Sequence, residues 1–302
     1  MALPAGIEDI VDPRARRWLA GGRIEPRGSR EELLPRVLRA LGLPPLQGGL
    51  GALRFWDQTG EPPSGWIAAA DPVWLEARLN QVHLHALTQR DLPVEDVQGA
   101  FAWLQAHLGG DDTAGSFVSV GRRGYLRRSE PIATAELSAA LAEGAAPEDF
   151  LPEPETARKH DRLVSEVQMC LHQAEVNRRR LAAGTPPLNA LWLWGGGTAP
   201  AEATRPLPPL LADDSVLRGF WRCSRARAGP WPGTIEAAIA AAAGDFVAVA
   251  PDGDPAMLIA ELRAAMAAGS LRRLVVLLRD GVIADLGRGG RFRFWRRLGR
   301  RS

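Results

Sequence analysis

Two apolar runs, Phe246-Val247-Ala248-Val249 and Leu274-Val275-Val276-Leu277-Leu278, constrain the fold of this chain most. A strand that is apolar at every position needs both of its faces covered, which is the condition met in a parallel sheet between helical layers. Helical patterns at 233–243 and 254–268 separate strands at 245–250 and 271–278. Upstream, a helix from Asp161 to about Ala183 precedes a strand at 190–194 and a proline-rich loop at 199–209. The alternation predicts an α/β architecture, mainly a parallel sheet with helices on both faces.

The first half reads differently. Ser29 stands as an N-cap before Glu31, Glu32, Leu33, Leu34, Val37, Leu38 and Leu41 at helical spacing, predicting a helix over 30–42. From Gly65 to Leu87 the pattern becomes two or three short strands, with Asp71-Pro72 as a turn and Val82, Leu84 and Ala86 alternating against His83 and His85. A helix at 94–108 ends at Gly109-Gly110, strands at 116–120 and 124–127 flank Gly121-Arg122-Arg123-Gly124, and 134–142 reads as a further helix. The acidic, proline-rich stretch 147–154 is the best boundary. The division is therefore a smaller α+β region with antiparallel strands at 1–146, a connector at 147–160, an α/β region at 161–287 and a basic tail at 288–302.

Composition narrows the class. With 302 residues and 46% apolar content, the chain buries one large core or two ordinary ones. It contains no apolar run of about 18 residues, and Glu8, Asp9, Asp12 and Arg14 occupy the place of a secretory apolar region, so a soluble cytoplasmic protein is expected. Cys170 and Cys223 are too few and too far apart for a disulfide framework or a CxxC metal site. Seven arginines follow Asp285; without them the chain carries 30 basic against 35 acidic residues, so the net charge of +2 becomes −5 for residues 1–287.

On the helix beginning at Asp161, Leu163, Val167, Cys170, Ala174, Asn177 and Leu181 fall on one face. Asn177 therefore sits in an apolar stripe, where an amide is costly unless its hydrogen bonds are met, and Arg180 projects to nearly the same side one turn later. Two readings stand: a buried amide that braces a neighbouring loop, or part of a binding pocket. Gly184 and Pro186-Pro187 end the helix, Asn189 leads into the next strand, and Gly195-Gly196-Gly197 follows, where backbone amides approach an anion closely or the chain simply turns.

The segment Ala174-Glu175-Val176-Asn177-Arg178-Arg179-Arg180, with Gly184, Asn189 and Gly195-Gly196-Gly197, resembles the His-Pro-Val-Asn-x-x-Arg…Gly…Ala-Asn…Arg-Gly-x-Gly stretch of archaeal-type cofactor-independent phosphoglycerate mutases, members of the alkaline-phosphatase-like superfamily. Asn177, Arg180, Gly184, Asn189, Gly195 and Gly197 match; Ala174, Glu175 and Trp194 replace the His, Pro and Arg. The match covers about 30 residues. As a whole the chain resembles bacterial proteins named phosphoglycerate-mutase-like or RpfE-type regulatory proteins, which share its Ala70-Asp71-Pro72-Val73 and Leu191-Trp192-Leu193-Trp194-Gly195. The resemblance implies ligand contacts at Asn177, Arg180, Asn189 and Gly195 to Gly197.

Phosphoryl transfer in that superfamily uses two divalent metal ions held by Asp and His. The first 60 residues contain no Asp-Gly, and no Asp-x-x-x-Gly-His occurs. Asp252 and Asp254 are weak metal candidates at the end of the 245–250 strand, and Asp254 reads better as a helix N-terminus. His83 and His85 have metal-compatible spacing on a strand without an evident third ligand, and a solvent-facing pair is the preferred reading. No catalytic residue and no cofactor is assigned; a divalent metal enters only if the chain is an active enzyme. The tail segment 291–301 mixes Arg with Phe and Trp, a pattern compatible with nucleic-acid stacking or an anionic membrane surface, with a solubilising tail as the preferred reading. The expectation is a catalytically degenerate regulatory protein that binds a phosphorylated small molecule or a protein partner; the alternatives are an active metal-dependent phosphoglycerate mutase or phosphatase whose ligands are not recognised, and a nucleic-acid or membrane-surface adaptor acting through the tail.

Overall fold

The computed structural model describes residues 1–3, 5–25, 30–79, 81–87, 92–110, 115–251 and 253–287. Residues 1–45 carry β1 (Ala2–Leu3), α1 (Pro13–Ala20), β2 (Arg23–Glu25) and α2 (Leu33–Ala40). Residues 46–201 carry α3 (Leu50–Thr59), β3 (Trp66–Ala77), β4 (Val82–Ala86), α4 (Val94–Leu108), β5 (Ser116–Val120), β6 (Arg123–Arg128), α5 (Ala139–Ala142), α6 (Pro154–His172), α7 (Glu175–Ala182) and β7 (Ala190–Gly197). Then follow β8 (Leu210–Leu211), α8 (Ser215–Cys223), β9 (Ala228–Gly229), α9 (Ile235–Ala242), β10 (Val247–Ala248), α10 (Pro255–Ala268), β11 (Arg273–Leu278) and β12 (Ile283–Gly287). The fold is mixed α/β, in two compact units: residues 1–45 with 202–302, and residues 46–201.

The first unit holds the parallel sheet. β8 pairs in parallel with both β9 and β10, and β1 pairs in parallel with β11. A parallel bridge from Ala2 to Val249 joins the two sets, so β1 lies in the middle. β12 and β2 extend the β11 side in antiparallel fashion. Leu274, Val276 and Leu278 pack with Ala15 and Leu19 of α1, Ile235 of α9 and Ile259 and Leu262 of α10; α2 contacts β11 and α8. Asp12, Asp214, Thr234 and Asp254 each cap a helix by accepting from a first-turn amide, at about 1 kcal/mol per cap. The helix expected over 30–42 is shorter because Pro35, which lacks an N–H, fits in the first turn of a helix beginning at Leu33. The expected cap Ser29 lies outside the described residues.

The second unit is built on an antiparallel sheet in which β3 pairs with β4, β6 and β7, and β5 pairs with β6. Ala52 and Phe55 of α3 pack with Ile67 and Tyr125. A separate, larger cluster joins Val97, Phe101 and Leu104 of α4 and Leu163, Val167 and Leu171 of α6 to Ala68, Ala70, Leu126, Leu191 and Leu193. That cluster draws on both sides of 147–154, and this stretch lies inside the unit rather than between units.

Three local expectations change. The strand at 190–194 belongs not to the parallel sheet but, as β7, to the antiparallel one, so the carboxyl-end rule for ligands in parallel sheets does not apply to it. Asp71-Pro72 is no turn: β3 runs through it. On the β6 and β4 side, pairing stops at Ala69 and resumes at Val73, leaving a gap where a missing N–H breaks no ladder bond. The helix expected at 134–142 is reduced to Ala139–Ala142, because Ala135 bridges to Trp194 in β7 and donates to Leu193 O.

Candidate functional site

The single helix expected from Asp161 to Ala183 is two helices. α6 ends at His172, Ala174 is extended, and α7 starts at Glu175. No Gly or Pro marks the break; the Asn177 side chain spans it. Asn177 is 3% exposed, its Nδ2 donates to Leu171 O and Leu188 O (2.8 Å each), and its Oδ1 accepts from Leu188 N at 2.7 Å. One amide thus ties the end of α6 to the start of the returning strand. The break also turns the apolar stripe, so Leu181 is 62% exposed.

Arg180 is buried and bridges in the same way. Its Nε donates to Pro186 O (2.8 Å) and its Nη1 to Asp96 Oδ2 (2.8 Å), while Arg179 reaches the other Asp96 oxygen at 3.3 Å. Asp96 lies in the first turn of α4, where the helix dipole also favours a carboxylate. Asn189 acts like a strand residue: Oδ1 accepts from Leu75 N (2.8 Å) and Nδ2 donates to Leu75 O (2.9 Å).

The three glycines serve close backbone approach. Gly195 has φ +61, and a Cβ at Gly197 would stand 2.5 Å from Gly49 N, at the start of α3. The amides of Gly195 and Gly196 donate inward, to Ala135 O and Thr134 Oγ1 (3.0 Å each), and Gly196 O accepts from Gly49 N. The structure brings Asn177, Arg180 and Asn189 together around the 184–189 turn. It places Gly195 to Gly197 at the far end of β7, against α3.

Next to the glycines lies a buried charge network that sequence reasoning missed. Arg54 of α3 donates through Nη1 to both Asp71 oxygens (2.8 and 3.1 Å) and through Nη2 to Gly124 O (3.0 Å). Trp194, where the resemblance has an arginine, donates Nε1 to Asp71 Oδ2 at 2.7 Å. The Arg54 guanidinium also lies 4.9 Å from the Tyr125 ring and 5.3 Å from that of Trp194. Burial works against the Arg54 charge, but the Asp71 carboxylate and Tyr125 outweigh it and move its pKa up. Burial pushes the Tyr125 phenol up to about 12. The Asp71-Pro72 pair was visible in sequence; nothing in the α3 segment marked Arg54 as its partner.

In the first unit, acids at the carboxyl ends of the parallel strands bind the protein's own amides. Asp9 accepts from Gly6 N, Asp280 from Ile7 N, Asp214 from Leu217 N and Asp254 from Ala256 N. Asp252 lies outside the described residues, as does the tail at 288–302. Among the described residues no three His, Cys, Asp or Glu side chains are grouped to hold a metal ion. Among the described residues the donor set does not fit a two-metal phosphotransferase site. His83 and His85 are half-buried, with Gln81 Nε2 and Glu76 Oε2 respectively at 3.0 Å.

No family model matches the chain. Over 56 residues it is 39% identical to a probable 2,3-bisphosphoglycerate-independent phosphoglycerate mutase of Geobacter sulfurreducens, a match covering 18% of this chain and 14% of that protein. Among solved structures, a cofactor-independent phosphoglycerate mutase from Thermoplasma acidophilum aligns over 95% of this chain and 89% of its own, with TM-score 0.42 and 19% identity. A protein from Pyrococcus horikoshii aligns over 98% and 84%, with TM-score 0.48 and 15% identity. No described helix is long and apolar enough to cross a membrane.

Proposed function

We propose that this chain is a phosphoglycerate-mutase-like protein that acts by binding rather than by phosphoryl transfer, in a regulatory role. The observation that carries the reading is the use of Asp9, Asp214, Asp254 and Asp280 at the carboxyl ends of the parallel strands. Each already accepts from a backbone amide that caps a helix or pins a loop, leaving no grouped acid and histidine donors among the described residues. The mutase-like part of the reading is supported by the segment from Ala174 to Gly197 and by the local identity to the Geobacter protein. The bound species is a phosphorylated small molecule or a protein partner. For a phosphate to take Arg180, it must displace Asp96 and Pro186 O, so ligand binding and the brace at 184–189 compete.

Metal analysis of the purified protein, with a mutase assay in added Mn, Zn and Mg, tests the non-catalytic part. Sub-stoichiometric metal and no turnover are expected, and stoichiometric metal with turnover refutes it. Calorimetric titration with phosphorylated three-carbon acids tests the ligand part: a saturating isotherm weakened by Arg180→Ala supports it, and the absence of any isotherm leaves the protein partner as the bound species.

A further inference from the structure

A groove of about 990 Å³ opens within the first unit at the amino ends of β1, β10 and β11. Met1 and Ala2, Phe246 and Val247, and Arg273 and Leu274 are part of its wall, so it sits at the edge opposite the carboxyl ends of these strands. Leu41 after α2, Ile239 of α9, Phe246, Leu271 and Val275 all line it and are all partly buried. Ile239 and Leu271 also pack against the core of the unit and Phe246 against its neighbouring cluster, so the groove has an apolar, partly buried wall.

Charge is distributed unevenly at the same groove. Arg273 is neutralised by a two-point pair with Asp285 at 3.0 and 2.7 Å. Arg205 and Arg272 line the groove, are exposed, and make no hydrogen bond or ion pair among the described residues. Among the described residues Asp245 is the single acid in the lining. The balance favours an anion, and guanidinium groups match the planar, multi-oxygen geometry of phosphate and carboxylate. The volume lies at the upper end of the range for small-molecule sites.

We propose that this groove binds a free single-chain amphiphilic anion, an alkyl chain ending in a phosphate monoester. The chain lies against Leu41, Ile239, Phe246, Leu271 and Val275, and the headgroup is held by Arg205 and Arg272. The proposal uses residues of the first unit only and is independent of the Asn177 and Arg180 reading.

Calorimetric titration of the full chain with octyl, decyl and dodecyl phosphate, each below its micelle threshold, tests it. Burial of each added methylene is expected to tighten binding by up to about fourfold. The double variant Arg205→Glu/Arg272→Glu is expected to weaken dodecyl phosphate by more than about tenfold while leaving dodecyl maltoside unchanged. Ala40→Trp, at an exposed lining position, should flatten the chain-length dependence by filling the groove without removing charge. Circular dichroism melts confirm that the variants fold. The proposal is overturned by affinity independent of chain length, by equal binding of the maltoside and the phosphate, by variants that bind as wild type, or by binding to anionic vesicles with none to free monomers.

Discussion

Replacing Asn177 by alanine removes three hydrogen bonds from a site only 3% exposed. The costliest loss is at Leu188, itself 1% exposed, whose N–H is left buried without Oδ1. An orphaned buried donor costs about 1–3 kcal/mol. Leu171 O retains Ala174 N at 3.0 Å and suffers less; with the lost contacts of the side chain, a total near 3 kcal/mol is expected. At roughly 2–4 °C per kcal/mol for a domain of this size, Tm should fall by about 6–12 °C in a circular dichroism melt. Asn177→Asp should cost at least as much, because it sets a carboxylate oxygen against the carbonyls of Leu171 and Leu188. An Asn177 whose purpose is a ligand alone would behave like a surface residue, within about 0.5 kcal/mol. A fall of less than about 2 °C for the alanine variant would refute the brace.

Breaking the Arg54–Asp71 pair from either side should destabilise by about 3–5 kcal/mol in urea unfolding, whereas Arg54→Met with Asp71→Leu should cost much less than the sum; strict additivity would contradict a buried, coupled pair. Gly197→Ala, whose Cβ would stand 2.5 Å from Gly49 N, should cost roughly 1–3 kcal/mol, whereas Gly99→Ala, inside α4 with nothing within 4 Å, should stabilise by about 0.5–1 kcal/mol. The hydrogen bond from Arg273 holds the Asp285 carboxyl below its usual range. A depressed folded pKa contributes stability that is present above the unfolded carboxylate range, near about 4, and is lost as pH falls through the folded value. Asp285→Asn should therefore flatten part of the stability loss on acidification below about pH 4; an unchanged acid slope would show that the pair contributes nothing.

Much of the first unit was legible because its elements carry their own punctuation. Asp254 caps a helix that ends at Gly269, and Leu274 to Leu278 is too apolar for any place except a covered sheet. What misled was punctuation whose meaning depends on distant residues. Pro72 reads as a turn until the gap between β6 and β4 is known, and the glycines after Trp194 read as a loop until α3 is found against them. The break between α6 and α7 has no local signal, since its agent is an amide five residues beyond the end of α6 bonding backward to Leu171 and forward to Leu188. Asn177, Arg180 and Asn189 were all identifiable as special; that each would satisfy a backbone carbonyl or amide emerges only from the path of the turn.

The position of β1 bears on how the chain assembles. Ala2 and Leu3 form a strand in the middle of the first unit's sheet, with β10 on one side and β11 on the other, and both neighbours are encoded more than 240 residues later. Contacts of such sequence separation form slowly. During synthesis the contiguous unit 46–201 can therefore fold first, while the opening residues wait for strands not yet made. The unit that holds β1 closes only once β10 and β11 have been made.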